Sequence, residues 1–193
     1  MVIIGIDEVG RGCWAGPLVA GATVLPVGGD ALKVPGLTLR DSKKLSKHQR
    51  QSADNWIRNN AIAIGLGWVW PAEIDRWGVT ESVRVAFSRA LEQMPTTYDQ
   101  LILDGNINYF PDNPKSAAIV KADDSVPCVS AASIVAKVAR DTYMATLDAK
   151  YDCYGFACHV GYGTVAHIEA LHKYGVSDLH RLSYKPIKAL LTL

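Results

Sequence analysis

The sequence predicts an α/β domain built on a mixed sheet, and three observations support this. Two apolar segments, residues 2–6 and 17–25, are separated by a short glycine-containing loop, which favours an antiparallel hairpin. From residue 46 onward, segments with helical periodicity alternate with short apolar segments, which favours parallel pairing in the rest of the sheet. With 193 residues, 49% of them hydrophobic, the chain is long enough for one domain with a sizeable core.

The first third of the chain predicts a loop, a helix and a strand. Residues 26–39 are rich in glycine and proline and predict a loop. Ser46 and Gln49 form a capping box, so we expect a helix from there to about Asn60. Residues 61–70 place large side chains on one face and mainly small ones on the other, which predicts a strand packed closely against a helix.

The middle of the chain predicts two helical segments and two short buried strands. Residues 71–76 predict one helical turn, and Thr80 is expected to cap a stronger helix that Pro95 ends. Residues 100–103 and 117–121 are short apolar segments, which we interpret as strands.

The last third is mainly helical. Ser130 is expected to cap a helix with an apolar stripe to which Asp141 also belongs, and residues 164–174 predict a helix that Gly175 ends. A loop and a short apolar helix from Pro186 follow. Four histidines lie in this region without metal-ligand spacing, so we interpret most of them as surface or helix residues: His159, His167, His172 and His180.

Composition excludes several classes of protein. The net charge of +1 gives no global attraction for nucleic acid, so any basic surface is local, as in residues 40–50. The four cysteines form no CxxC pair, which indicates reduced thiols rather than a zinc ribbon or a disulfide scaffold. No apolar segment approaches the ~20 residues of a membrane span, and the N-terminus does not have the pattern of a signal peptide. We therefore expect a cytoplasmic protein that does not bind membranes.

Acidic residues follow three of the predicted strands. Asp7 and Glu8 follow the first, and Asp104 and Asp123 follow two later ones. If the first strand and the strand at residues 100–103 are parallel neighbours, their acids meet at the carboxyl edge of the sheet, where α/β proteins bind ligands. Grouped carboxylates repel one another unless cations join them, and oxygen ligands select Mg²⁺ or Mn²⁺. Two such ions can act on the water and the leaving oxygen of a phosphodiester.

Each acid also has a structural interpretation. Successive residues of a strand face opposite sides, so Asp7 and Glu8 share a site only if the strand breaks or twists there. Asp7 could instead pair with Arg11, Asp104 could belong to an Asp-Gly turn, and Asp141 could form a structural ion pair beside Arg140.

Six segments, in order and spanning nearly the whole chain, resemble ribonuclease HII. They are Asp7-Glu8-Val9-Gly10-Arg11-Gly12, Asp41-Ser42-Lys43-Lys44-Leu45, Asp104-Gly105, Lys121-Ala122-Asp123, residues 131–138 with Arg140-Asp141, and Gly161-Tyr162-Gly163-Thr164. The resemblance implies the ribonuclease H-like fold, a five-stranded mixed sheet flanked by helices. It also implies hydrolysis of RNA in RNA/DNA hybrids and incision on the 5′ side of ribonucleotides embedded in duplex DNA, which removes misincorporated ribonucleotides.

The resemblance also implies roles for particular residues. The catalytic carboxylates, which would bind Mn²⁺ or Mg²⁺, are Asp7, Glu8, Asp104 and Asp123, with Asp141 as a fifth candidate ligand. The residues expected to contact nucleic acid are Gly10, Arg11, Gly12, Lys43, Lys44 and Tyr162. Two positions depart from the family pattern: Val160 replaces an expected lysine, and Tyr184 an expected phenylalanine.

We expect residues 1–193 to form a single catalytic domain that acts as a monomer, with the helices from about residue 155 as a substrate-binding appendage. The chain is also expected to have no C-terminal extension or clamp-binding tail. Two other interpretations remain open from the residues alone. One is a different nuclease or a transferase on the same fold, for example a junction resolvase or exonuclease, and the other is a nucleic-acid binding module whose acids hold a structural cation.

Overall fold

A computed structural model describes residues 1–26, 33–34, 37–38 and 45–191 of the protein. The elements in chain order are β1 (Ile3–Val9), β2 (Leu18–Val24), β3 (Lys33–Val34), β4 (Leu37–Thr38), α1 (Lys47–Asn60), β5 (Ala63–Val69), α2 (Pro71–Leu91), β6 (Gln100–Asp104), β7 (Ser116–Ile119), α3 (Ala122–Ser125), α4 (Pro127–Thr146), α5 (Phe156–His159), α6 (Val165–Tyr174) and α7 (Lys185–Leu190). Within the described ranges, no helix is both long enough and apolar enough to cross a membrane.

Five strands form one mixed sheet in the order β5-β2-β1-β6-β7. β1 and β2 form an antiparallel hairpin, and β5 pairs antiparallel with β2. β6 lies parallel to β1, and β7 lies parallel to β6. The antiparallel start and the parallel remainder are therefore confirmed. In the β1–β6 register Ile6 lies opposite Leu103, so the next residues, Asp7 and Asp104, meet at the carboxyl ends of the two central strands.

Helices cover both faces of the sheet. One core joins strand residues such as Ile6 and Leu18 to the buried face of α2, including Phe87. The other core lies between the sheet and helices α1 and α4. The predicted close packing on β5 is confirmed, since a Cβ atom at Gly67 would lie only 1.8 Å from the carbonyl oxygen of Ala86 in α2.

A third apolar cluster lies under the C-terminal helices. It joins Tyr154, Phe156 and Leu171 to Met144 near the end of α4 and to Ala15 in the segment between β1 and β2. The C-terminal helices are thereby attached to the loop that follows β1.

The predicted helix termini agree with the structure in α1 and α6. Ser46 and Gln49 make both hydrogen bonds of the capping box of α1. Thr164 caps α6 and Gly175 follows its last turn. In α2, a break at Gly78 separates the predicted single turn from the longer helical segment.

Other boundaries differ from the predictions. β1 extends through the two acids to Val9. The short β3–β4 pair lies inside residues 26–39, where we predicted only loop. Helix α4 begins at Pro127 rather than after Ser130, because proline at a first helical position has no N–H that would need a partner. The Ser130 hydroxyl, inside the helix, instead donates to the carbonyl oxygen of Asp123.

Candidate active site

Three carboxylates from three elements meet at the carboxyl edge of the sheet, beside the central strands β1 and β6. Asp7 lies on β1, Asp104 ends β6, and Asp123 lies on α3. One oxygen of each lies within 4.8 Å of the others. Asp7 and Asp123 are buried, with 6% and 0% exposure. The sequence prediction that the strand-end acids meet at one edge is correct for these three.

Local backbone geometry brings Asp123 to the site. Lys121 adopts a left-handed conformation with φ of 58°, which turns the chain from β7 into α3. The backbone N–H of Asp123 then donates to Asp104 Oδ1 at 3.3 Å.

Burial makes the charge on Asp7 costly. Burial raises the pKa of the Asp7 carboxyl well above its usual value, and the neighbouring charges of Glu8 and Asp104 raise it further. Hydrogen bonds from the Ser133 side chain and from the Glu8 backbone N–H offset part of this effect. The site therefore favours a positive charge, either a proton or a bound cation.

Glu8 lies beside this group but outside the set of three. Because β1 continues through both acids, their side chains leave the strand in opposite directions. Glu8 Oε1 lies 3.7 Å from Arg11 Nη1, whereas the pairing of Asp7 with Arg11 that we considered is not among the described contacts. Asp7 and Glu8 nevertheless line one cavity of about 430 Å³.

This cavity joins the acids to the elements expected to contact nucleic acid. The loop of Gly10, Arg11 and Gly12 forms one part of its wall, and Tyr162 forms another. Two further cations, Arg50 and Lys137, also line the cavity. Lys137 Nζ lies 5.9 Å from the centre of the Tyr162 ring.

Tyr162 itself is 40% exposed. Burial of the rest of the side chain raises the pKa of its hydroxyl to about 12. The hydroxyl thus stays protonated and can donate a hydrogen bond at neutral pH.

Two buried arginines hold the loops around the cavity. Arg140 donates to the carbonyl oxygens of Pro17 at 2.8 Å, Val160 at 2.9 Å and Ala15 at 3.1 Å. Arg181 donates to the carbonyl oxygens of Gly16 and Arg11. Both guanidinium groups therefore tie the segment after β1 to the C-terminal region.

Gly10 shows how tightly this loop is packed. Its φ is 85°, and a Cβ atom there would lie 2.3 Å from Arg140 Nε. Only glycine fits both the backbone conformation and the space.

Several predicted residues lie elsewhere. Asp141 is outside the group of three, and its Oδ1 accepts from Lys137 Nζ at 2.8 Å. The ion pair we considered for Asp141 thus exists, but its partner is not Arg140. Asp141 also lies at the margin of the buried stripe in which we placed it, because its side chain is 22% exposed. Lys43 and Lys44 lie outside the described residues.

The prediction that most of the four histidines are surface or helix residues is confirmed for His159 on α5 and for His167 and His172 on α6, but His180 lies outside the helices and is buried. His159, His167 and His180 are 8%, 0% and 1% exposed, and they lie together under the C-terminal helices. Only His172 is exposed. Spacing along the chain did not reveal this cluster because its members come from three separate segments.

Sequence reasoning also missed Ser133, Arg140 and Arg181 as site residues. A signal for Arg140 was present in α4, where it continues a buried i, i+4 row from Ala132 and Ala136. Ser133 lies in a motif that carried the family resemblance, but nothing in that motif pointed to its hydrogen bond with Asp7. Arg181 gave no comparable signal, since it lies in a loop.

The donor set suits a divalent cation. Asp7, Asp104 and Asp123 offer only carboxylate oxygens, which are the ligands that Mg²⁺ and Mn²⁺ prefer. Both the repulsion among the three acids and the raised pKa of Asp7 would be relieved by such an ion.

A five-stranded mixed sheet flanked by helices, with these carboxylates at its centre, defines a nuclease of the ribonuclease H-like class. The family model for ribonuclease HII matches residues 4–187. Ribonuclease HII of Dichelobacter nodosus is 44% identical over 191 residues, which cover 98% of this chain and 97% of the relative. The chain therefore belongs to the ribonuclease HII family and is a ribonuclease H, a divalent-metal-dependent hydrolase that acts on RNA/DNA hybrids.

Solved structures agree with this assignment. Ribonuclease H2 from Pyrococcus horikoshii OT3 is 27% identical and has a TM-score of 0.83, with 98% of this chain and 97% of that chain covered. Bst-RNase HIII in complex with Mn²⁺ is 19% identical with a TM-score of 0.71, and the match covers 100% of this chain and 70% of that one. At that identity the second structure supports the fold alone. The predicted family and fold are confirmed.

Proposed function

We propose that the protein cleaves the RNA strand of RNA/DNA hybrids and incises duplex DNA on the 5′ side of an embedded ribonucleotide. Cleavage would leave 3′-hydroxyl and 5′-phosphate ends and would begin the removal of misincorporated ribonucleotides. One observation carries this proposal: the Gly10-Arg11-Gly12 loop and Tyr162 line the same cavity as Asp7, Glu8 and Asp104. Groups suited to reading a sugar thus adjoin groups suited to hydrolysis.

In this proposal Asp7, Asp104 and Asp123 hold divalent cations, Mg²⁺ or Mn²⁺, and Glu8 contributes from the cavity wall. Bound cations supply an activated water and neutralise charge at the phosphodiester by the two-metal mechanism. The hydrogen bonds from the Ser133 side chain and the Glu8 backbone N–H hold the Asp7 carboxylate, which would be a ligand of these cations. The Mn²⁺ bound by a ribonuclease HIII of the same fold is consistent with this donor set.

The cations of the cavity wall would bind the backbone of the substrate. Arg11, Arg50 and Lys137 line the same cavity as the acids, so they can contact phosphates of a substrate bound there. Asp141 holds Lys137 through the 2.8 Å hydrogen bond. Lys43 and Lys44 are expected to extend this basic surface.

Recognition of the ribonucleotide requires contact with its 2′-hydroxyl. Backbone groups of the Gly10–Gly12 loop can hydrogen-bond this hydroxyl, because the two glycines, which have no Cβ atom, allow a ligand to approach the backbone closely. The Tyr162 ring would pack on the next deoxyribose, where a 2′-oxygen would crowd it. The helices from about residue 155 hold Tyr162 and would therefore form the substrate-binding appendage of the domain.

A panel of labelled duplexes tests this proposal. We expect cleavage of a hybrid and of a DNA duplex with one ribonucleotide in Mg²⁺ or Mn²⁺, and none of all-DNA duplex, all-RNA duplex or any substrate in chelator. Asp104→Asn should abolish cleavage but retain substrate binding, whereas Asp112→Asn, at an exposed position, should cleave normally.

The same panel separates the alternatives. Cleavage of branched or all-DNA substrates would indicate a resolvase or an exonuclease. Binding without cleavage in every metal would indicate a nucleic-acid binding module. Cleavage by Asp104→Asn within tenfold of the unmodified protein would contradict a role for Asp104 in the reaction.

A further inference from the structure

Three buried histidines under the C-terminal helices form a cluster whose hydrogen bonds reach the main chain of Gly161 and Tyr162. The Gly161 N–H donates to His159 Nδ1 at 3.2 Å. His167 Nδ1 lies 2.9 Å from the Tyr162 carbonyl oxygen. His167 Nε2 lies 3.1 Å from His180 Nε2, and the rings of His159 and His167 stack with centroids 4.4 Å apart.

The partners assign a tautomer to each ring. A carbonyl oxygen only accepts, so His167 carries its proton on Nδ1, and His159 carries its own on Nε2, which faces the Tyr154 carbonyl oxygen at 2.7 Å. A backbone N–H only donates, so His180 Nδ1 accepts from Ser177 N–H, and the proton of His180 lies on Nε2. His180 Nε2–H then donates to His167 Nε2.

All three rings are therefore neutral, and each lone-pair nitrogen already accepts a hydrogen bond. This arrangement leaves none of the three rings a nitrogen with which to bind a metal. The neutral state of the rings agrees with their pKa values, since burial lowers the pKa of both His167 and His180 to about 4.

The main chain held by this network is strained. Val160, a β-branched residue, has φ of 45°, in the left-handed region that such residues rarely adopt. Strained conformations persist where surrounding contacts determine them, and they concentrate at functional sites. Here Arg140 holds the Val160 carbonyl oxygen, and Gly161, with φ of 85°, accepts from Trp14 N–H at 2.8 Å.

We propose that His159, His167 and His180 are positioning residues that fix the Gly161–Tyr162 main chain so that the Tyr162 ring faces the nucleic-acid cavity. This inference rests on the proposed role of Tyr162 and assigns the groups that hold it. The two histidine contacts act on the peptide groups on either side of the Gly161–Tyr162 peptide, one through the Gly161 N–H and one through the Tyr162 carbonyl oxygen, so together they fix the orientation of the peptide between them.

Paired substitutions of His167 test the proposal. In His167→Phe a ring of similar size remains but the donor to Tyr162 is lost, whereas in His167→Asn the side-chain amide nitrogen can replace Nδ1. We expect His167→Phe to lower kcat at least tenfold on a duplex with one ribonucleotide, with little change in KM and a smaller loss on a long hybrid. His167→Asn should recover most of that loss. His172→Phe, at an exposed position of the same helix, is the matched control and should be unaffected.

One further measurement keeps the proposal testable if His167→Phe does not fold. Nitrogen-15 spectra of the unmodified protein at pH 7 should show the Nδ1–H tautomer for His167 and the Nε2–H tautomer for His159 and His180. A different set of tautomers would overturn the proposal. Where both variants fold, the proposal would also be overturned if His167→Phe and His167→Asn lost the same share of activity on both substrates and these losses followed the decreases in their melting temperatures.

Tyr162→Ala, measured in parallel, distinguishes failure of the histidine inference from failure of the proposed role of Tyr162. If Tyr162→Ala shows no selective loss on the single ribonucleotide, the proposed role of Tyr162 fails. If Tyr162→Ala shows that loss and His167→Phe does not, only the histidine inference fails.

Discussion

Replacing Asp7 by Asn should stabilise the metal-free protein while abolishing its activity. Asp7, Asp104 and Asp123 place carboxylate oxygens within 4.8 Å of one another at a buried position. At that separation, two unit charges repel by about 3 kcal/mol for an effective dielectric constant of ~20. Asn keeps the shape of the side chain and can still accept the Glu8 N–H hydrogen bond, which is 2.8 Å long in the structure. The substitution therefore removes the repulsion with little other change.

We expect Asp7→Asn in chelator at pH 8 to gain roughly 2–3 kcal/mol in free energy of unfolding. For a chain of this size that corresponds to a rise in Tm of about 5–10 °C. Thermal melts with chelator and with Mn²⁺ measure the effect, with Asp112→Asn as the control. Mn²⁺ should raise the Tm of the unmodified protein more than that of the variant, because the cation binds the folded state through Asp7. A metal-free Tm that is unchanged or lower in Asp7→Asn would refute the idea that the acids repel one another.

Three further predictions concern the loops and the histidines. Gly10→Ala should lose about 1–3 kcal/mol of stability and at least tenfold in cleavage rate, because its Cβ would lie 2.3 Å from Arg140 Nε; unchanged melts and rates would contradict this. The pKa values of His167 and His180 are lowered to about 4, so their stabilising effect is complete above pH 6.5 and is lost as the pH falls toward 4. Urea titrations should show that the unmodified protein loses on the order of 3 kcal/mol more over this range than His167→Phe, and parallel pH profiles would contradict the assignment. Tyr162→Phe should retain most of the cleavage rate on a single-ribonucleotide duplex if the ring packs on the sugar, and activity as low as that of Tyr162→Ala would instead assign the contact to the hydroxyl.

Much of the fold could be predicted because the local patterns agree with the tertiary structure. The hairpin of β1 and β2, the capping box at Ser46 and the packing of Gly67 on α2 follow from residues close in sequence or from a repeated pattern. The meeting of Asp7 and Asp104 followed from one further rule, that parallel neighbouring strands end at the same edge.

The missed features depend on contacts between distant segments. Arg140 binds carbonyl oxygens more than 100 residues earlier, at Ala15 and Pro17, and no local pattern encodes such a pairing. The same holds for His159, His167 and His180, which only the packing of the C-terminal helices brings together. The Arg140 guanidinium donates to backbone carbonyl oxygens, so it has no side-chain partner whose spacing could reveal it.

The most direct test of the proposed function is to map the cut in a DNA duplex that contains one ribonucleotide. With Mg²⁺ or Mn²⁺, we predict a single nick at the phosphodiester on the 5′ side of the ribonucleotide, with a 3′-hydroxyl on the upstream fragment and a 5′-phosphate on the ribonucleotide. The same duplex with a deoxyribonucleotide at that position should remain intact. A nick elsewhere, equal cleavage of the all-DNA duplex, or the same nick in excess chelator would contradict the proposed reading of the sugar by this metal-dependent site.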